Sequence, residues 1–222
     1  MNMGWPSYLT VYKLFTDWGS LIGGVFALIA GAVAYIAGTL QAKATRQAAQ
    51  MQVEAMRRSE EREVDALRKS LATEMRQLVG RSLGAHTSLR NLATKTNGPI
   101  TARMVDSSSR VPAAVIYPGS APKIGLLDGS DAMDVVIVYN TIEIAREGAA
   151  EILRSRTPDD ITPLNVAAVA SAFLEACKYA RGVLPKLKTG VALHDDKDRG
   201  LIAMIDEAAS AWEVTMKSWP KS

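Results

Sequence analysis

The hydrophobic positions of the chain begin with one uninterrupted apolar run. No charged residue occurs between Asp17 and Lys43, and the segment 18–42 is composed almost entirely of Gly, Ala and larger apolar residues. At about 1.5 Å per residue, such a helix extends roughly 37 Å, which exceeds the ~30 Å hydrocarbon core of a bilayer. Soluble core helices rarely run this long without a polar face. We therefore predict one transmembrane helix over residues 18–42.

The small residues of this run share one helical face. Six of them fall at positions i, i+4, i+7, i+8, i+11 and i+15, and such a stripe lets two helix backbones approach closely in a membrane. We predict that it packs against a second copy or a partner helix, although a segment this rich in Gly and Ala also produces some stripe by composition alone. The stripe consists of Gly23, Ala27, Ala30, Gly31, Ala34 and Gly38.

A second pattern, of period eleven, follows the apolar run. Residues 43–93 are predicted to form a long charged helical stalk, with Gly80 and Gly84 loosening it near its end. A period of eleven corresponds to about 3.67 residues per turn, so the apolar seam runs nearly straight along the helix. The seam must pair with another chain or fold its lower part against the downstream domain. The alternative is a solvated helix held by pairs such as Glu54–Arg58 and Asp65–Lys69. The seam contains Val53, Met56, Val64, Leu67, Leu71, Met75 and Leu78.

Residues 94–128 are rich in Pro, Ser and Gly and are predicted to form a long connection, with 111–117 as an extended piece. The remainder, 129–222, is predicted to be a helical cytoplasmic domain that packs on the end of the stalk. Its helices are expected to start at three N-terminal signals: Ser130 as N-cap, Thr162 followed by Pro163, and Asp195-Asp196. The predicted fold class is therefore all-α, with a transmembrane helix, a stalk and a small helical bundle.

Two of these helices have a predicted buried side. The first contains Leu164, Ala167, Phe173, Leu174, Cys177 and Ala180. The second is the most regular amphipathic stripe in the chain, formed by Leu201, Ile205, Ala208, Trp212, Met216 and Trp219.

The charge pattern predicts an orientation. Lys43 and Arg46 follow the apolar run, and the first acidic residue after it is Glu54. The positive-inside rule therefore places the C-terminal side in the cytoplasm and the aromatic segment 1–17 outside. The net charge of +3 and the pI of about 9.0 are a topology signal, since no nucleic-acid reading element accompanies them. A cleaved signal peptide is the competing interpretation, but the apolar run is too long and a short basic leader is missing.

A short segment resembles one found in uncharacterised bacterial membrane proteins. It runs from Tyr117-Pro118 through Lys123-Ile-Gly-Leu-Leu127 to Val135-Val136 and Tyr139. Those proteins also have an N-terminal membrane helix and a charged helical stretch. The resemblance implies a bacterial inner-membrane setting and brings no activity, ligand or site with it.

Motifs for catalysis and metal binding are not evident in the sequence. The two histidines, His86 and His194, are far apart, and Cys177 is the single cysteine. The acidic cluster Asp128, Asp131 and Asp134 lacks the Gly and terminal Glu of a calcium loop and is interpreted as helix-capping residues. We find no phosphate-binding loop, nucleophile elbow or zincin motif. The chain is therefore expected to be non-catalytic and to need no cofactor or metal.

These features together predict a membrane-anchored structural, scaffold or accessory protein. Its expected partners are the lipid bilayer and a homo-oligomer or larger membrane complex, with no nucleic acid. One alternative is a membrane-tethered sensor that binds a small ligand between Tyr117, Tyr139 and Tyr179. A third interpretation is an envelope protein whose body faces the periplasm.

Overall fold

The computed structural model describes residues 8–154, 161–187 and 195–219. Within these ranges the chain is helical and contains no β-strand, which confirms the predicted all-α class. The helices are α1 (Tyr8–Lys95), α2 (Ala102–Ser108), α3 (Ile116–Ser120), a 3-10 helix (Ala121–Leu126), α4 (Gly129–Arg154), α5 (Pro163–Val183) and α6 (Asp195–Lys217).

The chain divides into two compact units, Met1–Glu60 and Glu61–Ser222. Helix α1 contributes residues to both of them. In the first unit, every side chain from Trp18 to Glu60 is exposed. Helix α1 is long and apolar enough near its N-terminus to cross a membrane, and none of its apolar window is buried against the rest of the chain.

The second unit has a single hydrophobic core, which includes the lower part of the predicted seam. Leu71 and Met75 of α1 are completely buried, and they pack with residues of α4, α5 and α6. Leu67 and Leu78 are buried as well, and Val64 is partly buried at the edge of the core. Val53 and Met56, in the first unit, are exposed. The chain therefore uses the lower seam for intramolecular packing, one of the alternatives left open by the sequence.

Helix α5 begins as the sequence predicts. The Thr162 hydroxyl oxygen accepts a hydrogen bond from the Asn165 backbone N–H at 3.2 Å, and Pro163 takes the first helical position, where its missing N–H costs nothing. Helix α4 forms over its whole length in spite of its β-branched residues. It starts at Gly129, so the prediction of Ser130 as its N-cap is wrong: Ser130 lies inside the first turn.

Helix α1 continues through Gly80 and Gly84 and ends at Lys95, two residues beyond the predicted end of the stalk. Three further expectations are corrected by the structure. The segment 111–117 is not extended throughout, because α3 starts at Ile116. Leu164 was expected on the buried side of α5 but is 60% exposed, because the first turn of α5 faces an open cleft. Met216, near the end of α6, is likewise exposed.

Candidate ligand-binding cleft and buried polar contacts

Glu74 is a buried carboxylate on α1 that holds the connection between α2 and α4. Its Oε1 accepts hydrogen bonds from the backbone N–H groups of Val115 (2.5 Å) and Ile116 (2.6 Å), and its Oε2 accepts from Tyr117 N–H (2.9 Å). The Tyr139 hydroxyl donates to the same Oε2 at 3.0 Å. These N–H groups belong to the start of α3, whose first turn has no partners within its own helix. Glu74 therefore caps α3 from a distant part of the chain.

The ionisation of this group follows from its contacts. Burial by itself raises the pKa of Glu74, but the three backbone N–H groups and the Tyr139 hydroxyl outweigh it, so the net pKa lies below 4.5. Burial and the Glu74 charge raise the pKa of Tyr139. The Tyr139 ring also stacks on Tyr117 with centroids 4.1 Å apart. The site is a structural clamp made of an ionised carboxylate and a neutral phenol.

An ion pair connects α1 to α6. Arg76 donates from Nε and Nη2 to the two carboxylate oxygens of Asp198, at 2.5 and 2.9 Å, and Asp198 is only 2% exposed. The two-point geometry fixes both the separation and the rotation of the helices at this level. No pattern in the sequence pointed to this pair, because its members are 122 residues apart.

His86 is completely buried on α1. Its Nδ1 lies 2.8 Å from the Ala170 carbonyl oxygen, so Nδ1 carries the proton and donates, while Nε2 has no partner among the described residues. The ring meets the Trp212 ring edge-on, with centroids 5.3 Å apart. Burial lowers the pKa of His86, the Ala170 hydrogen bond opposes this, and the charges of Arg90 and Lys178 lower the pKa further. His86 is therefore a neutral core residue.

We expect His86 to make the protein less stable in mild acid. Because its pKa is lowered on folding, the unfolded chain binds the proton more readily, and stability falls as the pH drops below about 6.5. The slope contributed by one proton is at most about 1.4 kcal/mol per pH unit. Urea denaturation of the wild type and of His86→Leu between pH 7.5 and 5 measures this effect. If the free energy of unfolding changes equally with pH in the two proteins, the assignment of His86 as a neutral core residue is contradicted.

Cys177 lies in the core, with its Sγ 3.7 Å from the Val79 carbonyl oxygen. Burial raises the pKa of the Cys177 thiol to about 12. Since the thiolate is the reactive form, this residue is inert at neutral pH.

In the described ranges, no three His, Cys, Asp or Glu side chains converge as a metal site would require. Arg68 lies within 4 Å of carboxylate oxygens of Asp128 and Asp131, and His194 falls outside the described residues.

A cleft of about 1180 Å³ lies in the second unit, where the end of α1 and the end of α6 meet the start of α5. Among the described residues, two cations, Arg90 and Lys95, line it and no acidic residue does. Neither cation takes part in an ion pair within the described part of the chain. The remaining lining is divided between apolar and uncharged polar side chains: Asn91, Ala93, Thr94, Thr162, Pro163, Leu164, Ala211, Val214, Thr215, Ser218 and Trp219.

A second, smaller groove of about 570 Å³ lies between α1 and α6 and shares Arg90 with the cleft. Glu207 borders this groove and makes no ion pair with Arg90. Tyr117, Tyr139 and Tyr179 line neither cavity, and Tyr179 is half exposed on α5. The ligand position suggested by the sequence is therefore not where these two cavities lie.

The small-residue stripe lies on the exposed part of α1. A side chain added at Gly23, Gly31 or Gly38 would meet open space, so the face is uncovered within the chain. The seam is divided, as described above, between the exposed Val53 and Met56 and the buried positions from Leu67 onward. Sequence reasoning did not identify the cleft, because its lining comes from three separate segments and carries no motif.

Comparison with family models, curated proteins and solved structures gave no significant match for this chain.

Proposed function

We propose that this protein is a single-pass membrane-anchored scaffold or accessory component with a non-catalytic helical body. One observation carries the proposal: the apolar part of α1 is entirely exposed, while the helices of the second unit bury their own core. An exposed run of this length in water would cost about 25 cal/mol per Å² of apolar surface. A bilayer removes that cost, and the body needs nothing from the apolar segment to complete its core.

The proposed setting is a bacterial inner membrane, with the body in the cytoplasm. Lys43 and Arg46 support this orientation because they follow the apolar segment without a compensating acid. A phosphatase reporter that is active only in the periplasm, fused after Ser222, is expected to stay silent. Activity of that fusion would support the envelope-facing alternative. The intact mass of the membrane-extracted chain is expected to include residues 1–42, and a shorter mass would indicate a cleaved signal peptide.

The partner contact is expected at the small-residue stripe. In a Cys177→Ala background, Ala27→Cys and Ala34→Cys place a thiol on the stripe, whereas Val25→Cys and Ile36→Cys place it on the opposite face as matched controls. Oxidation in native membranes should crosslink the stripe variants to a second copy or to a partner, and the controls much less. A chain that stays monomeric in all four variants, with no adduct, would contradict the scaffold proposal.

A second candidate function is a membrane-tethered sensor that binds a small molecule. The cleft of about 1180 Å³ favours it, since ligand pockets are commonly concave, mostly apolar and furnished with a few polar groups. A thermal-shift screen of the full chain in nanodiscs tests this candidate, because a ligand that binds the folded state raises its melting temperature.

A further inference from the structure

We infer that the cleft between α1, α5 and α6 binds an amphipathic anion, that is, a molecule with a carboxylate or phosphate group joined to an apolar chain or ring. The inference rests on the second candidate function and specifies its ligand. It depends on the charge, the apolar surface and the size of the cleft.

The charge of the lining selects for an anion. Arg90 and Lys95 are the ionised side chains among the described lining residues, and neither forms an ion pair with a described carboxylate. The start of α5 also borders the cleft at Thr162, which adds the positive end of a 21-residue helix. The C-terminal ends of α1 and α6 bring the partial negative charge of their helix dipoles to the cleft. Each end has a lysine in its last turn, Lys95 in α1 and Lys217 in α6, which offsets that charge. Arg90, one turn further from the end of α1, remains available to a ligand.

The rest of the lining selects for an apolar body. Leu164 and Val214 border the cleft and are 60% and 69% exposed, although both are large aliphatic side chains. Trp219 and Pro163 contribute flat apolar surface beside them. Leu164 was expected in the core of α5, and its exposure here gives a ligand an apolar surface to cover. Covering apolar surface of this kind is favourable in proportion to the area removed from water.

A volume of about 1180 Å³ accommodates a molecule the size of a medium-chain acyl anion or a short-chain phosphatidate, since typical ligand pockets measure roughly 300–1000 Å³.

Calorimetric titration of the full chain in phosphatidylcholine nanodiscs tests the inference, with empty nanodiscs as the reference for partitioning. Dodecanoate is the probe, and dodecanol and dodecyltrimethylammonium are its neutral and cationic analogues. We expect saturable binding of one dodecanoate per chain. Arg90→Gln combined with Lys95→Gln should weaken it by about tenfold or more, because each charge-assisted hydrogen bond is worth a similar factor.

Matched variants make the result specific to the cleft. Arg81→Gln combined with Arg103→Gln removes the same charge from exposed positions outside the cleft and should leave binding unchanged. Val214→Trp fills the cleft from an exposed position on α6 and should abolish binding without disturbing the core. Competition with dihexanoyl phosphatidate distinguishes a phospholipid head group from a carboxylate as the natural ligand. If the phosphatidate binds more tightly than dodecanoate, the ligand is a phospholipid. If it binds more weakly, the ligand is a carboxylate.

Several outcomes would overturn the inference. They are equal binding of dodecanol, preferential binding of the cationic analogue, or dodecanoate binding that is insensitive to both the double Gln variant and Val214→Trp. Absence of any saturable binding would overturn it as well. None of these results affects crosslinking at Ala27 or Ala34, so failure of the cleft is distinguishable from failure of the membrane-scaffold proposal.

Discussion

Leu174→Ala is expected to destabilise the helical body by about 3–5 kcal/mol, whereas Leu164→Ala in the same helix is expected to change its stability by less than about 0.5 kcal/mol. Leu174 is completely buried in α5, so truncation leaves a cavity in the core. Leu164 is 60% exposed at the mouth of the cleft and leaves none. The two substitutions are chemically identical and lie ten residues apart in one helix.

Pulse proteolysis in urea on the full chain in nanodiscs measures both values. The fraction of intact body at each urea concentration reports its unfolding free energy, and the exposed apolar part of α1 is held in the bilayer throughout. If Leu164→Ala were as costly as Leu174→Ala, the start of α5 would have to be packed, and the cleft would not be open there.

Glu74→Ala is expected to cost about 3 kcal/mol, because several charge-assisted hydrogen bonds are lost at one carboxylate. The substitution leaves the N–H groups at the start of α3 without an acceptor and a buried Tyr139 hydroxyl without its carboxylate. The N–H groups near the exposed Val115 can turn to water, which keeps the cost below the sum of the separate bonds. Glu74→Gln retains one acceptor oxygen and should lie between the wild type and the alanine variant.

Hydrogen exchange measured by mass spectrometry locates this effect. Peptides covering residues 115–126 should lose protection first in Glu74→Ala, while α5 keeps most of its own. Glu175→Ala is the matched control, because Glu175 makes an exposed pair with Lys178 and such pairs contribute about 0–1 kcal/mol. Unchanged exchange in residues 115–126 would show that Glu74 does not hold the connection.

The pH dependence gives a second measure of the same group. The pKa of Glu74 is lowered on folding, so its stabilising contribution is present above pH 4.5 and is lost as the pH falls through the folded-state value. Stability of the wild type should therefore fall more steeply below pH 4.5 than that of Glu74→Ala.

Much of the fold could be predicted from periodicity alone. Three features are local patterns: the apolar run of membrane-spanning length, the Thr162-Pro163 helix start, and the amphipathic stripe through Leu201, Ile205 and Trp212. Local hydrogen bonding and the 3.6-residue turn are enough to define them. The 26 residues of α4 also exceed the usual length of a buried strand, which favours a helix in spite of the β-branched side chains.

The polar contacts could not be predicted in the same way. Glu74 reaches the start of α3 across more than forty residues, and Arg76 reaches Asp198 across 122. A carboxylate on a charged helix has the same appearance in the sequence whether it faces water or caps a distant helix. The burial of Glu74 and Asp198 depends on which faces of the helices meet, and residue spacing within one helix does not specify that.

The sequence by itself determined that this chain is all-α, where α5 and α6 begin, and that one apolar segment is left without an intramolecular partner. These are consequences of short-range hydrogen bonding and of hydrophobic periodicity. Only the tertiary structure decided that the seam from Leu67 onward is buried within the body, that His86 is a neutral core residue, and that Arg90 and Lys95 meet Leu164 and Trp219 at one cleft. The physical reason is that burial, and with it the charge state and accessibility of a side chain, is set by contacts between segments far apart in the chain.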